Sequence, residues 1–382
     1  DVRRVGSETF HTCRLLRQPH VRRADRQRNR HTNSNHARSL ARAKVFVPAN
    51  PHDRSLAAPT AGLYLWPRDA LRSRPSVTDN APRKARTLGG ARRRVRSDDD
   101  LRSDRLTSFA FRAVVWCLLR LPYRLRIPLA GVLVARIVAP LAGYTGRIRD
   151  NLSLVLPDMP RAEVQRMMRA VPDNVGRTIA ELWSGAEFVG HVRDLPLTGP
   201  GVAALEDAQR AGRPVILSTA HFGNYDVARA ALIARGYRVG ALYRPMDNAS
   251  FNKRYLRAIS ALGTPLFPRG RDGMGQMIRF LRDGGMLGIL TDQHMRTAQQ
   301  FTFFGKPART ATSAADLALK YGADIIPIFA VRQPDGLSFR IVVESPIARG
   351  TAQAMTQAIN DSIERIVRQH PEQWFWIHRR WK

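Results

Sequence analysis

Acidic residues are scarce in this sequence: its 382 residues hold 31 Asp and Glu against 62 Lys and Arg, a formal net charge of +31. A polyanionic partner is expected from that imbalance, and nucleic acid and anionic lipid both attract Lys and Arg through phosphate charge. At an anionic leaflet each basic residue adds on the order of 1 kcal/mol of attraction. Cysteine is nearly absent. Cys13 and Cys117 are far apart, which excludes a disulfide framework and a cysteine zinc site and fits a reducing cytoplasm. No Gly-x-Ser-x-Gly elbow occurs, so a serine acyl-enzyme is not suggested. Gly270, Gly273 and Gly275 have the wrong spacing for a dinucleotide loop and read as a turn before a helix. No metal motif of recognised spacing, internal repeat or secretory signal is visible. A bilayer-spanning helix needs about 20 predominantly apolar residues, and Arg112, Arg120, Arg124, Arg126 and Arg136 interrupt every candidate window of that length.

What is present falls into three parts. Residues 1–105 hold 25 Lys and Arg against 10 acidic residues. Their Arg-rich runs alternate with Pro, Ser, Asn and His without periodicity, the composition of a disordered basic leader or of a start site set too far upstream. A nucleic-acid-binding arm is the lesser reading, because aromatic interleaving and any recognised module are missing. Residues 106–195 form a helical, membrane-associating region. Its apolar stretches 106–121 and 127–142 predict interfacial helices, with Arg side chains at the headgroups and Trp and Leu toward lipid. Ordinary core helices are the alternative. Residues 196–382 alternate between short apolar runs (214–220, 238–243, 285–290, 325–331, 339–343) and amphipathic stretches (227–234, 251–262, 274–282, 312–321, 353–369). That order predicts an α/β fold, a mostly parallel sheet flanked by helices.

The chemistry concentrates where apolar runs end. Ser218-Thr-Ala-His221-Phe-Gly-Asn-Tyr-Asp226 follows the first run, at a strand-to-helix junction where open α/β sheets place their sites. On a continuous helix His221 and Asp226 would point about 140° apart. A turn at Gly223 would bring the carboxylate back to the imidazole, leaving the other ring nitrogen as a general base. Leu242-Tyr-Arg244-Pro-Met-Asp247-Asn248 and Thr291-Asp292-Gln293-His294 follow two further runs. Three polar clusters at three strand ends converge more plausibly than they coincide. A metal-dependent hydrolase using His221, Asp226, Asp292 and His294 is a rival of another class, as is a nucleic-acid-binding protein; the apolar block 106–142 argues against the latter.

These blocks resemble the bacterial lipid A biosynthesis (late) acyltransferase family, within the lysophospholipid acyltransferase superfamily. The resemblance runs from about Leu106 to Lys382. It is carried by Arg149-Asp-Asn151-Leu152 with Pro157, Gly176-Arg-Thr-Ile-Ala-Glu181-Leu182, His221-Phe-Gly-Asn224-Tyr-Asp226 and Tyr243-Arg244-Pro245 with Asp247-Asn248. Asp292-Gln293, Phe304-Gly305, Pro307 and the terminal Pro371-Glu-Gln-Trp374-Phe-Trp376-Ile-His378-Arg-Arg-Trp381-Lys382 complete it. The resemblance implies a glycerol-phosphate-acyltransferase-like fold, and transfer of a fatty acyl chain from acyl carrier protein to a hydroxyl of a lipid A precursor. It further implies the cytoplasmic face of the inner membrane and no metal or other cofactor. Within it His221 is the base and Asp226 its orienting carboxylate. Asn224, Arg244, Asp247, Asn248, Asp292 and Gln293 lie around the acceptor or the oxyanion. A lysophospholipid, ornithine-lipid or glycolipid acceptor, or a CoA donor, is the nearest alternative. The three Trp near the C-terminus suit a headgroup layer or a helix end packed into the core.

Overall fold

The computed structural model describes residue 109 and residues 111–382 apart from Asp247. The leader 1–105 and the first residues of the apolar block lie outside them. Helix α1 (residues 111–119) leads to α2 (Tyr123–Leu133), a π turn (Val134–Val138), α3 (Ala139–Leu141), α4 (Tyr144–Val155), α5 (Arg161–Trp183) and α6 (Ala186–Val192). Pro140 has no N–H to return to the carbonyl four residues back, and the helix widens into the π turn just ahead of it. α5 and α6 are separated at Gly185, whose φ of 54° suits a residue without Cβ. α2 lies directly on α5. A Cβ on Gly176 would sit 2.4 Å from the Ala130 carbonyl oxygen, so that position needs glycine for this crossing, whereas one on Gly131 would meet the Asp173 side chain at 2.4 Å and displace it. No single described helix is long and apolar enough to cross a membrane; one pair bent by 85°, Tyr123–Leu141 with Tyr144–Val155, meets that test by length and composition only.

The remaining chain builds the sheet. Its strands are β1 (Leu197–Thr198), β2 (Val215–Thr219), β3 (Val239–Tyr243), β4 (Leu266–Pro268), β5 (Met286–Leu290), β8 (Asp324–Arg332) and β9 (Phe339–Val343), in the spatial order β1-β9-β8-β2-β5-β3-β4. β8, β2, β5, β3 and β4 are mutually parallel, β9 returns antiparallel to β8, and β1 pairs parallel with β9. β6 (Gln300–Phe303) and β7 (Lys306–Arg309) form a separate antiparallel hairpin. The expected mostly parallel sheet flanked by helices is therefore the architecture. β2 shows why: all five of its residues are buried, with Ile216 in one apolar layer and Val215 and Leu217 in the other. Alternate side chains leave opposite faces, so a strand buried throughout needs helices on both. α7 (Val202–Arg210) and α8 (Asp226–Ala234) cover one face through Leu205, Val227 and Leu232. α10 (Arg271–Arg282), α11 (Ser313–Tyr321) and α12 (Ala352–Gln369) cover the other through Leu281, Ala315 and Ile363. α9 (Ala249–Ala261) connects β3 to β4. Gly270 caps α10, so Gly273 and Gly275 lie inside the helix rather than in the turn expected before it.

Candidate active site

Register brings the site together. β2 and β5 pair in parallel with Ser218 opposite Ile289 and Thr219 opposite Leu290. Continuing that offset by two residues sets His221 opposite Asp292, on strands about 4.8 Å apart. The side chains meet there: His221 Nδ1 lies 2.8 Å from Asp292 Oδ1, and the His221 backbone N–H donates to Asp292 Oδ2 at 2.9 Å. Trp374 Nε1–H donates to the same Oδ2 at 2.9 Å. Asp292 is buried. Burial pushes its carboxyl up, but the adjacent His221, its two hydrogen bonds and the Trp374 N–H together hold it well below the usual carboxylate range. An ionised Asp292 accepts only, so Nδ1 carries the proton and Nε2 presents its lone pair. Gln293 Nε2 stands 3.1 Å from that Nε2. Tyr225 meets the imidazole edge-on at 5.4 Å, and Phe375 flanks it at 6.0 Å.

The other expected residues distribute differently. Asp226 does not fold back onto His221. Its Oδ1 accepts from Arg229 Nε at 2.9 Å, one turn along α8, while Arg229 also donates to the Ile259 and Gly263 carbonyls. Asp226 begins α8 and stays on the helix, so the turn at Gly223 comes too early to redirect it. Asn224, expected against substrate, is buried in the turn itself: its Oδ1 accepts from Asp226 N–H and its Nδ2 donates to Glu181. Asn248 caps α9 by accepting from Phe251 N–H at 3.0 Å. Arg244 is half-buried and follows β3, which flanks β5 on the side away from β2; it stands on the same strand edge as His221, two strands over. Asp247 lies outside the described residues. Among the described residues no three His, Cys, Asp or Glu side chains are grouped so as to hold a metal ion; of the four in the metal reading, His221 and Asp292 pair with each other and Asp226 turns to Arg229.

Behind the imidazole runs a buried polar network that sequence reading did not anticipate. Gly223 takes φ 54°, and a Cβ there would lie 2.0 Å from the Ala330 carbonyl oxygen. Its own carbonyl accepts from Asn174 Nδ2 and Thr178 Oγ1 of α5, both at 3.0 Å. Glu181, one turn further along α5, is fully buried and takes Nη1 and Nη2 of Arg332, whose Nε–H donates to Asn174 Oδ1 at 2.8 Å. Residues 371–378 complete the frame from the C-terminus. Gly223 N–H donates to the Gln373 carbonyl, Phe375 N–H donates to the His221 carbonyl, and Asn151 Nδ2 holds the Trp376 and His378 carbonyls. Trp374 and Trp376 pack in the core, the second of the two fates expected of this tail. It follows a short 3-10 turn rather than ending a helix. His378 Nε2 accepts from His294 N–H at 2.8 Å, and burial lowers the His378 pKa to about 3, so this imidazole is neutral.

An imidazole fixed by a buried carboxylate at the carboxyl edge of a helix-covered parallel sheet defines an α/β enzyme of the acid–base kind. The profile of the bacterial lipid A biosynthesis acyltransferases matches residues 99–382, and the chain belongs to that family. It is thus an acyltransferase on lipid substrates, with an acyl thioester donor and a lipid acceptor. Among its relatives is a phosphatidylinositol mannoside acyltransferase of Mycobacterium tuberculosis, 25% identical over 63% of this chain and 78% of the relative. The lipid A biosynthesis lauroyltransferase of Escherichia coli is 24% identical, and the palmitoleoyltransferase of that organism 25%, each over 70% of this chain and 89% of the relative.

Proposed function

We propose that the protein transfers a fatty acyl chain from acyl carrier protein to a hydroxyl of a lipid A precursor at the cytoplasmic face of the inner membrane, with His221 as general base and Asp292 as its orienting carboxylate. The observation that carries this reading is the His221–Asp292 pair, closed on Nδ1 and presenting Nε2. The acceptor hydroxyl displaces the Gln293 amide from Nε2 and gives up its proton there as its oxygen attacks the thioester carbonyl. The C–S bond breaks, and the departing thiolate takes the proton from the imidazolium, leaving an ester and a free thiol. Asp292 stabilises the imidazolium between those two events. Arg244, on the same edge, stands to the oxyanion or to an acceptor phosphate. Asn224, Asn248 and Asp226 shape the turn and the helices that begin beside it.

Attachment to the membrane rests on the first helices. Leu125, Leu129 and Val132 form an exposed i, i+4, i+7 stripe on α2, continued by Ile137 and Leu141, and Trp116 stands out from α1 with Arg120 over its ring at 4.5 Å. Such a face suits the interface of a bilayer. Arg126 does not belong to it: it is buried, ion-paired to Glu187 and donating to Ser184 Oγ. A second acceptor, a phosphatidylinositol mannoside, is favoured by the mycobacterial relative; the chemistry at His221 is the same. The test offers the purified enzyme acyl-carrier-protein and CoA thioesters with each glycolipid, and reads products by mass spectrometry. Ester on the lipid A precursor, absent with His221→Ala, is expected. A covalent acyl-protein that forms without acceptor and then passes its chain on would overturn direct transfer.

A further inference from the structure

A cavity of about 1270 Å³ opens between α2, the π turn, α3, α5 and the β8–β9 hairpin. His221 does not line it. Asn174, Arg332 and Gln373 do: the Asn174 side chain and the Gln373 carbonyl hold Gly223, and Arg332 braces both by donating from Nε to Asn174 Oδ1 and from its backbone N–H to Gln373 Oε1, so the cavity adjoins the catalytic turn from the side away from the imidazole. Six arginines line this one space. Three are neutralised: Arg332 by Glu181, Arg177 by Asp173, and Arg166 by Glu163 with Glu372 nearby. Arg177 and Arg332 also donate to one oxygen, the Gly336 carbonyl, at 3.3 and 3.1 Å. Two guanidiniums are thereby held side by side at the floor, with Arg332 buried. The other three, Arg136, Arg169 and Arg340, have no carboxylate within ion-pair distance among the described residues. A concave site that gathers uncompensated guanidiniums selects a multivalent oxyanion, phosphate above all, because the planar fork matches its oxygens.

The wall of the cavity identifies the carrier of that phosphate. Val132, Ala135 and Pro140 line it, and the same helical stretch exposes Leu129, Ile137 and Leu141 outside. A ligand seated here meets Arg136, Arg169 and Arg340 at the exposed rim, beside the apolar strip, with the paired Arg177 and Arg332 further in. We propose that this cavity is a binding site, separate from the reaction centre, for the phosphodiester headgroup of an anionic glycerophospholipid, whose acyl chains leave along the exposed strip. The volume suffices for a headgroup and the first carbons of its chains, since small-molecule sites run from about 300 to 1,000 Å³. The site needs no thioester, so it stands or falls independently of the acyl-transfer reading.

The test uses the full chain and short-chain lipids kept below their micellar concentration, titrated by calorimetry. Dihexanoyl phosphatidylglycerol is the probe; dihexanoyl phosphatidylcholine and inorganic phosphate are the comparisons. Arg169→Gln with Arg340→Gln should weaken phosphatidylglycerol binding about tenfold or more, as expected for losing two charge-assisted contacts. Arg279→Gln with Arg282→Gln removes the same charge from exposed α10 and should change it less than about threefold. The single Arg340→Gln variant, at an exposed position, gives the same reading if the double variant folds poorly. Equal losses in the two pairs would mean diffuse attraction and overturn the site. Phosphatidylcholine binding as tightly as phosphatidylglycerol, or inorganic phosphate binding as tightly as the lipid, would equally overturn it.

Discussion

Asp292 and Asp226 are two carboxylates near one histidine, and their substitutions should separate cleanly. Asp292→Asn leaves a similar shape but removes the charge that fixes Nδ1–H and balances the imidazolium; kcat should fall roughly 10²–10⁴-fold, the range of a positioned acid–base group. Asp226→Asn breaks the bond to Arg229 and should lower stability by about 1–3 kcal/mol with kcat reduced less than tenfold. Parallel kinetics and urea melts on the two variants check both statements, and equal rate losses would return Asp226 to the reaction. His378 gives a pH dependence. Its folded pKa is near 3, below the usual histidine value of about 6.5. Between those values the unfolded chain binds the additional proton, so the stabilising contribution is full above about pH 6.5 and declines as pH falls toward 3, by at most about 1.4 kcal/mol per unit. His378→Gln keeps an acceptor for the His294 N–H and cannot titrate. Its stability should fall less steeply over that range, as measured by denaturant titration at stepped pH.

At the scale of elements, α5 and the C-terminal tail act as the two jaws that hold the His221 turn. Glu181 of α5 is fully buried against Arg332. Removing one member of such a pair leaves the other charge unpaired in the interior and costs about 3–5 kcal/mol. Glu181→Ala should therefore lower the unfolding free energy from denaturant titration by that amount, and an unchanged value would show that Arg332 finds another partner. The 214–220, 238–243 and 285–290 runs were legible as strands because each holds a short, mainly apolar stretch followed by polar residues. β4, with three residues, and the β6–β7 hairpin, with exposed positions on one side, carry too little pattern to be recognised. α4 falls within the region read as helical, its Ile148, Leu152 and Val155 on the buried face at i, i+4, i+7 and Arg149 and Asp150 exposed.

For the whole molecule, the exposed apolar strip of α2 and the π turn is the feature expected to meet a bilayer. Leu125→Ser, Leu129→Ser and Ile137→Ser together should shift the protein from pelleted anionic vesicles to the supernatant while leaving the fold intact by circular dichroism; unchanged pelleting would move the anchor elsewhere. Composition and local period alone determined that the chain is basic, that helices precede an α/β region, and that His221, Arg244 and Asp292 each stand at a strand end. Those properties are written in neighbouring residues, because burial alternates at two or repeats near 3.6 along each element. The partner of His221 was not written there. Asp226 is five residues away in sequence yet is carried off by α8, whereas Asp292, 71 residues on, is brought opposite by the β2–β5 register. Arg332 and Trp374 reach the site from still more distant segments, and Glu181 from a helix ahead of the sheet. Only close packing of both faces of the sheet fixes which strand lies beside which and in what register, and that choice converts separate strand ends into one site.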